Sequence, residues 1–244
     1  MSGLSAVALV VALPGSASAD VLTLLPQNAN GLEQTFSPAY DYDKDGCYAT
    51  AAIGSDGTLN PGLALGGDVN GRCHDPAQLN NANTYSRTKC DNGWCAVMYA
   101  SYFEKDQATL GPAAIGHRHD WEHVVVWVKD NQAEYVSVSQ HSSYQVAARS
   151  SIRFDGTHPK IVYHKDGAST HAFRFAGTND EPAENATGGW FFPRLVGWDG
   201  YPAGFRDKLL SANFGSATIK IKDGDFNYAL EHSMPAGIPF NPNA

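Results

Sequence analysis

A chain of 244 residues, with a formal net charge of −8, 43% hydrophobic and 11% aromatic content, is long enough for one large β-rich domain and too apolar to be disordered. The acidic balance speaks against nucleic acid and against non-specific attraction to anionic membranes, since both need basic surface. It leaves room for a specific lipid headgroup, above all one reached through a divalent cation. In chain order, residues 6–13 form a short apolar core, Pro14-Gly15 breaks it, and Ala17-Ser18-Ala19 supplies an A-x-A cleavage site before Asp20. No Lys or Arg precedes that core, but residues 1–19 still read as a secretory signal peptide, followed by one secreted, soluble domain over 20–244. No later segment is long and apolar enough to span a bilayer.

Residues 20–60 are turn-rich. Within them Asp41-Tyr42-Asp43-Lys44-Asp45-Gly46 has the D-x-D-x-D-G opening of a calcium loop, but Ala52 stands where that loop needs Glu, so the run reads as a loop leading to Cys47. The four cysteines, Cys47, Cys73, Cys90 and Cys95, suit an oxidising compartment and allow three pairings. Cys90 and Cys95 flank the turn-like Asp91-Asn92-Gly93-Trp94 and could close a small loop, which would leave Cys47 for Cys73. A zinc site made of the four is disfavoured, because paired C-x-x-C spacings are missing.

Residues 96–103 read as an aromatic-rich strand, Gly111-Pro112 marks a loop, and then comes Gly116-His117-Arg118-His119-Asp120-Trp121-Glu122-His123, followed at once by the apolar run 124–128. Residues 134–139, 152–154, 160–164, 172–175 and 217–221 continue as short alternating strands punctuated by Gly, Asp and Asn, the pattern of a β-sandwich or barrel. Helix signals are confined to 202–210 and 226–230. Asn185-Ala186-Thr187 is an N-glycosylation sequon in a Gly-rich stretch expected to be exposed. Trp190, Phe191, Phe192 and Trp198 lie around Gly188-Gly189 and Pro193, where they either meet a membrane interface or, as expected of each singly, pack in the core.

The octet concentrates the chemistry. Strand alternation would place Arg118, Asp120 and Glu122 on one face and His117, His119, Trp121 and His123 on the other. The imidazole face suggests zinc, with His117, His119 and His123 as ligands and Glu122 as general base of a secreted metallohydrolase. The carboxylate face, with Asp106 folding back across the Gly111-Pro112 loop, suggests a hard cation, Mg2+ or Ca2+. A solvated strand end with His–carboxylate hydrogen bonds is the third option.

The run Gly-His-Arg-His-Asp-Trp-Glu at 116–122 resembles the signature heptapeptide of the necrosis- and ethylene-inducing peptide-like proteins, secreted microbial cytolysins. Residues 96–106, ending in Phe103-Glu104-Lys105-Asp106, resemble that family's first common motif, and the likeness extends over essentially the whole mature chain. It implies a mainly β, single-domain sandwich similar to actinoporins and fungal fruit-body lectins, with few short helices. It also implies a disulfide between Cys47 and Cys73, and a second between Cys90 and Cys95 of the kind only some members carry. By the same resemblance, Asp106 and Asp120 would ligate a divalent cation, with His117 and Glu122 helping to hold it and His141 as a candidate headgroup contact. His119 and His123 would be structural. The target implied is the glycosyl inositol phosphorylceramide headgroup of plant plasma-membrane sphingolipids, bound at the outer face by a protein monomeric in solution. Membrane damage, necrosis and defence responses in dicots would follow, without enzymatic chemistry; a non-toxic lectin-like or immunogenic member is the alternative within the family. The 107–116 loop is longer than is typical, so Asp106 is carried over on its Phe-x-Lys-Asp context.

Overall fold

The apolar run Val124-Val125-Val126-Trp127-Val128 has all its residues buried, so the sheet that holds it must be covered on both faces. The computed structural model describes residues 21–244; the expected signal peptide lies outside them. In chain order the strands are β1 (Ala39–Tyr42), β2 (Asn83–Asp91), β3 (Trp94–Gln107), β4 (Gly116–Lys129), β5 (Gln132–Gln140), β6 (Ser143–Ala148), β7 (Phe154–Asp155), β8 (His158–Lys165), β9 (His171–Phe175) and β10 (Arg194–Gly197). The helices are α1 (Gly31–Thr35), α2 (Pro76–Asn80), α3 (Phe205–Leu210) and α4 (Phe226–Ser233).

One sheet is ordered β10-β2-β3-β4-β5-β6, antiparallel except for the β10–β2 pair. The other is built on β8, which pairs in parallel with β1 and antiparallel with β9 and β7. Between the sheets lie Tyr40, Phe103, Val124, Val126, Tyr163 and Phe173. The outer face of the larger sheet carries Met98, Val125 and Trp127, covered by Leu209, Phe226 and Leu230 of the C-terminal segment. The expected mainly β sandwich is thus present, with a third layer of short helices and extended chain. That layer explains why β4 reads as a continuous apolar run instead of an alternating one.

Several local expectations change. Residues 217–221 form no strand: Ile219 and Ile221 pack onto the outer sheet face, and their alternation comes from lying flat on that face. Of 152–154 only Phe154 enters a strand, after a 3-10 turn at Arg149–Ser151. The acidic run is no calcium loop; its first two residues lie in β1, where Asp41 is fully buried. The helices α1 and α2, outside the two expected at 202–210 and 226–230, start with capping boxes, Asn30 with Glu33 and Asp75 with Gln78. The polar strand β2 sits between β10 and β3, and its hairpin to β3 turns on Asn92-Gly93, both at positive φ. That hairpin places Cys90 opposite Cys95, and the disulfides are Cys47–Cys73 and Cys90–Cys95.

Candidate functional site

The last turns of β3 and the first of β4 pair antiparallel, with Phe103 opposite Asp120, Lys105 opposite Arg118 and Asp106 opposite His117. Between the first two of these pairs the ladder skips the Glu104/His119 step, and His119 adopts φ +61°. A left-handed residue in a strand rotates everything beyond it, so the face assignment from alternation fails there. His117 turns to the side of Asp120, while His119 stays on the opposite face with Trp121. There the His119 Nδ1 lies 2.6 Å from the Tyr102 hydroxyl, and its ring meets Phe214 edge-on. Two glycines permit the kink. A Cβ on Gly62 would lie 2.6 Å from the His119 ring, and one on Gly116 (φ +141°) would lie 2.0 Å from the Asp106 carbonyl oxygen.

The result is a cluster in which ligand atoms of Asp106, His117 and Asp120 lie within 4.8 Å of one another. Both aspartates are buried, as is the adjacent Glu122. Asp106 accepts the His171 backbone N–H on both oxygens at 2.9 Å and the His171 Nδ1–H at 2.7 Å. Asp120 accepts from the Trp121 N–H at 2.9 Å and from the Tyr163 hydroxyl at 3.0 Å. Glu122 accepts from the Ser139 hydroxyl. Among the described residues no Lys or Arg pairs with any of the three acids; the ionic partners of Asp106 are the imidazoles of His117 and His171. Burial, then repulsion from Asp106, pushes the Asp120 carboxyl well above the ordinary carboxylate range; burial, then repulsion from Asp120, does the same for Glu122.

Hydrogen bonds set the imidazole tautomers. His117 Nδ1 sits 2.6 Å from the His119 carbonyl, which can only accept, so Nδ1 donates there and Nε2 faces Asp106, 3.9 Å away. His123 Nε2 accepts the Lys220 N–H at 2.9 Å. Burial lowers His119 to about 4, with Arg118 and His117 adding to it, and lowers His123 to about 3, with Lys220 adding to it. The zinc arrangement is not formed: His119 is buried against Tyr102 and Phe214, His123 borders the cavity but its Nε2 is taken by the Lys220 N–H, and neither joins the cluster of Asp106, His117 and Asp120. A donor set of two carboxylates and one imidazole, ringed by further oxygens, fits a hard divalent cation such as Mg2+ or Ca2+.

This cluster lies in the wall of a cavity of about 460 Å3, which Glu122, His141 and His171 also line. His141 occupies the tight turn between β5 and β6 at φ +56°, with Nε2 3.2 Å from Asp166 and Nδ1 3.4 Å from Thr170 Oγ1; it stands outside the ligand cluster. Sequence reasoning missed His171 and Tyr163, which stack on each other at 5.0 Å and hold Asp106 and Asp120. No local pattern marks either one, because both belong to the facing sheet. Asn185 is not exposed as expected: it is 4% accessible, and its Nδ2 donates to Asp41 at 3.0 Å and to the Gly189 carbonyl at 2.8 Å. Trp190, Phe191, Phe192 and Trp198 do not line the cavity. Trp198 packs under Arg87 and Arg206, and Trp190 donates to Glu181, so only Phe192 is substantially exposed.

Residues 30–233 match the family model described as necrosis inducing protein (NPP1). NLP effector protein 10 of Phytophthora capsici is 33% identical over 196 residues, spanning 78% of this chain and 77% of its own. The solved structure of NLPPya in complex with mannosamine is similar at a TM-score of 0.74 and 30% identity, covering 89% of this chain and 98% of that one. The non-toxic HaNLP3 protein is similar at a TM-score of 0.72 and 27% identity, over 90% of this chain and all of its own (100%).

Proposed function

Because the chain belongs to the necrosis inducing protein (NPP1) family, whose named members are effectors and toxins and not enzymes, we propose that it is a secreted cytolysin that binds the glycosyl inositol phosphorylceramide headgroup of plant plasma membranes through a divalent cation. The observation that carries this reading is the convergence of buried Asp106 and Asp120 with His117, beside Glu122, with no Lys or Arg among the described residues paired to them. Buried anions so arranged either take up protons or share a cation. A cation held there supplies exchangeable positions for sugar hydroxyls. Asp106 and Asp120 hold it, the Nε2 lone pair of His117 and the carboxylate of Glu122 support it, and His171 and Tyr163 keep the two aspartates in place. The mannosamine in the NLPPya complex supports a carbohydrate as the class of ligand.

The rim fits the approach to a bilayer. The loop between β3 and β4, residues 108–115, carries no charge, and its Leu110 and Ile115 are 67% and 65% exposed. It springs directly from Asp106 and returns into His117, so a lipid whose headgroup enters the cavity brings its membrane toward these side chains. Binding at the outer face, followed by membrane damage, necrosis and defence responses in dicots, is the activity proposed.

Replacing Asp120 with Ala tests the reading. By titration calorimetry the variant should no longer bind Mg2+ or Ca2+, and it should no longer release dye from vesicles containing the glycosylated sphingolipid, while its circular dichroism stays native. Lysis at the wild-type rate would sink the proposal. The likeness to the non-toxic HaNLP3 protein favours a second reading, a family member that binds without killing. Infiltration of purified protein into dicot leaves decides between the two, since a non-toxic member leaves no lesion.

A further inference from the structure

The cavity does not end at the acidic cluster. Helix α4 also contributes to its lining, where Tyr228 and His232 stand together with Thr218 and Lys220 from the preceding segment and Ser143 from the start of β6. Tyr228 is 57% exposed, unusual for a large aromatic ring in this chain, and its ring stacks on His232 at 3.8 Å with an interplanar angle of 30°. His232 Nδ1 lies 2.8 Å from the Tyr228 carbonyl, to which it donates, so the imidazole is pinned behind the phenol ring. The phenol is thereby held as a flat platform. Lys220 is only weakly paired, its ammonium 3.9 Å from Asp225.

Taken alone, Tyr228 over His232 is an i, i+4 pair that steadies a short helix. Three further features go beyond that role: the platform belongs to the same cavity as Asp106 and Asp120, Ser143, Thr218 and Lys220 line that cavity too, and a volume of about 460 Å3 leaves space beyond one sugar ring. An aromatic face with hydroxyl and ammonium groups at its edge is the chemistry that recognises a pyranose, whose C–H face meets the π surface while its hydroxyls take the polar partners.

We propose that Tyr228, backed by His232, forms a second saccharide subsite on the α4 wall of the cavity, which holds a pyranose ring of the headgroup oligosaccharide next to the sugar at the acidic cluster. This assignment rests on the carbohydrate-binding reading of the cavity and extends it from one ring to two.

The test compares a one-ring with a many-ring ligand on the full chain in the presence of Mg2+ or Ca2+. Glucosamine serves as the single ring, read by calorimetry. Phosphatidylcholine vesicles carrying plant glycosyl inositol phosphorylceramide serve as the oligosaccharide, read by flotation. Tyr228→Ala is expected to bind glucosamine within about twofold of wild type and the vesicles about tenfold more weakly, while Tyr228→Phe, which keeps the aromatic face, stays near wild type on both. Unaltered vesicle binding by Tyr228→Ala would overturn the subsite, and so would an equal loss on both ligands, which would mean that Tyr228 acts through the fold. If wild type binds neither ligand, the carbohydrate reading itself fails, and that outcome is distinct from the other two.

Discussion

Two acidic regions of this molecule are buried to the same depth and behave oppositely. Asp41, the first acid of the calcium-like run, is wholly buried, and its carboxylate is saturated by the N–H groups of Tyr42, Glu184 and Asn185 and by the Asn185 side chain, at 2.8 to 3.1 Å. It is an anchor that ties β1 to the 184–189 loop. Asp120 and Glu122 are nearly as buried, but each faces another carboxylate, and their acids are pushed up by burial and by that mutual repulsion. A buried acid therefore does not make a site. Acids gathered together with no Lys or Arg paired to them among the described residues are the better candidate for one, because the demand for positive charge is concentrated there.

The largest expected effect tests this contrast directly. Asp41→Asn should destabilise the protein by about 3 kcal/mol, since the amide cannot accept from four donors and turns its own N–H groups on some of them. Thermal unfolding measures that loss. Asp120→Asn should do the reverse: the cation-free protein is at least as stable as wild type at neutral pH because one repelling charge is gone, while divalent affinity falls by about 100-fold or more. If the two variants lost stability equally, the distinction between anchor and site would not hold.

His171 refines the picture. In His171→Phe the stack on Tyr163 survives, but the Nδ1 donor to Asp106 is lost, so cation affinity should drop about tenfold with little change in melting temperature. The hairpin at 108–115 borders the site without holding an acid. The double variant Leu110→Ser and Ile115→Ser should weaken vesicle binding about tenfold and leave calorimetric cation binding as it was.

The pH dependence gives the smallest signal. Raised Asp120 and Glu122 acids mean that the cation-free folded chain holds protons that the unfolded chain has released. Their contribution to stability is complete below the unfolded carboxylate range, near about pH 4, and is lost as pH rises through the raised folded values. A cation needs these groups deprotonated, so the rise in melting temperature on adding Mg2+ or Ca2+ should grow as pH rises above the unfolded carboxylate range through the raised folded values. His119 and His123, lowered to about 4 and about 3, contribute stability that is present above their unfolded values and lost as pH falls through the folded ones. Their contribution cancels when the melting curves with and without cation are subtracted. A cation effect independent of pH would argue against Asp120 and Glu122 as the groups that meet it.

The octet was legible as a crowd of ligand types at the start of a buried strand, and its heptapeptide and the Phe-x-Lys-Asp context pointed to the family. The sandwich was legible in the spacing of short strands, and short helices were expected at 202–210 and 226–230, where α3 and α4 form. Residues 217–221 misled, because a segment lying across a sheet face buries alternate side chains just as a paired strand does. The polar strand β2 was invisible for the converse reason: its place is set by hydrogen bonds to neighbours on both sides and not by an apolar pattern.

By itself, then, the sequence determined the chemical inventory of Asp106, His117, Asp120 and Glu122, the mainly β class and the family. Only the tertiary structure decided which of these groups meet. Strand alternation is a local rule with a period of two, and a single left-handed residue, His119, inverts it, so His117 crosses to the carboxylates instead of joining its neighbouring imidazoles. The partners that complete the cluster, Tyr163 and His171, arrive from the other sheet, 43 and 65 residues from the acids they hold, where no local spacing reaches.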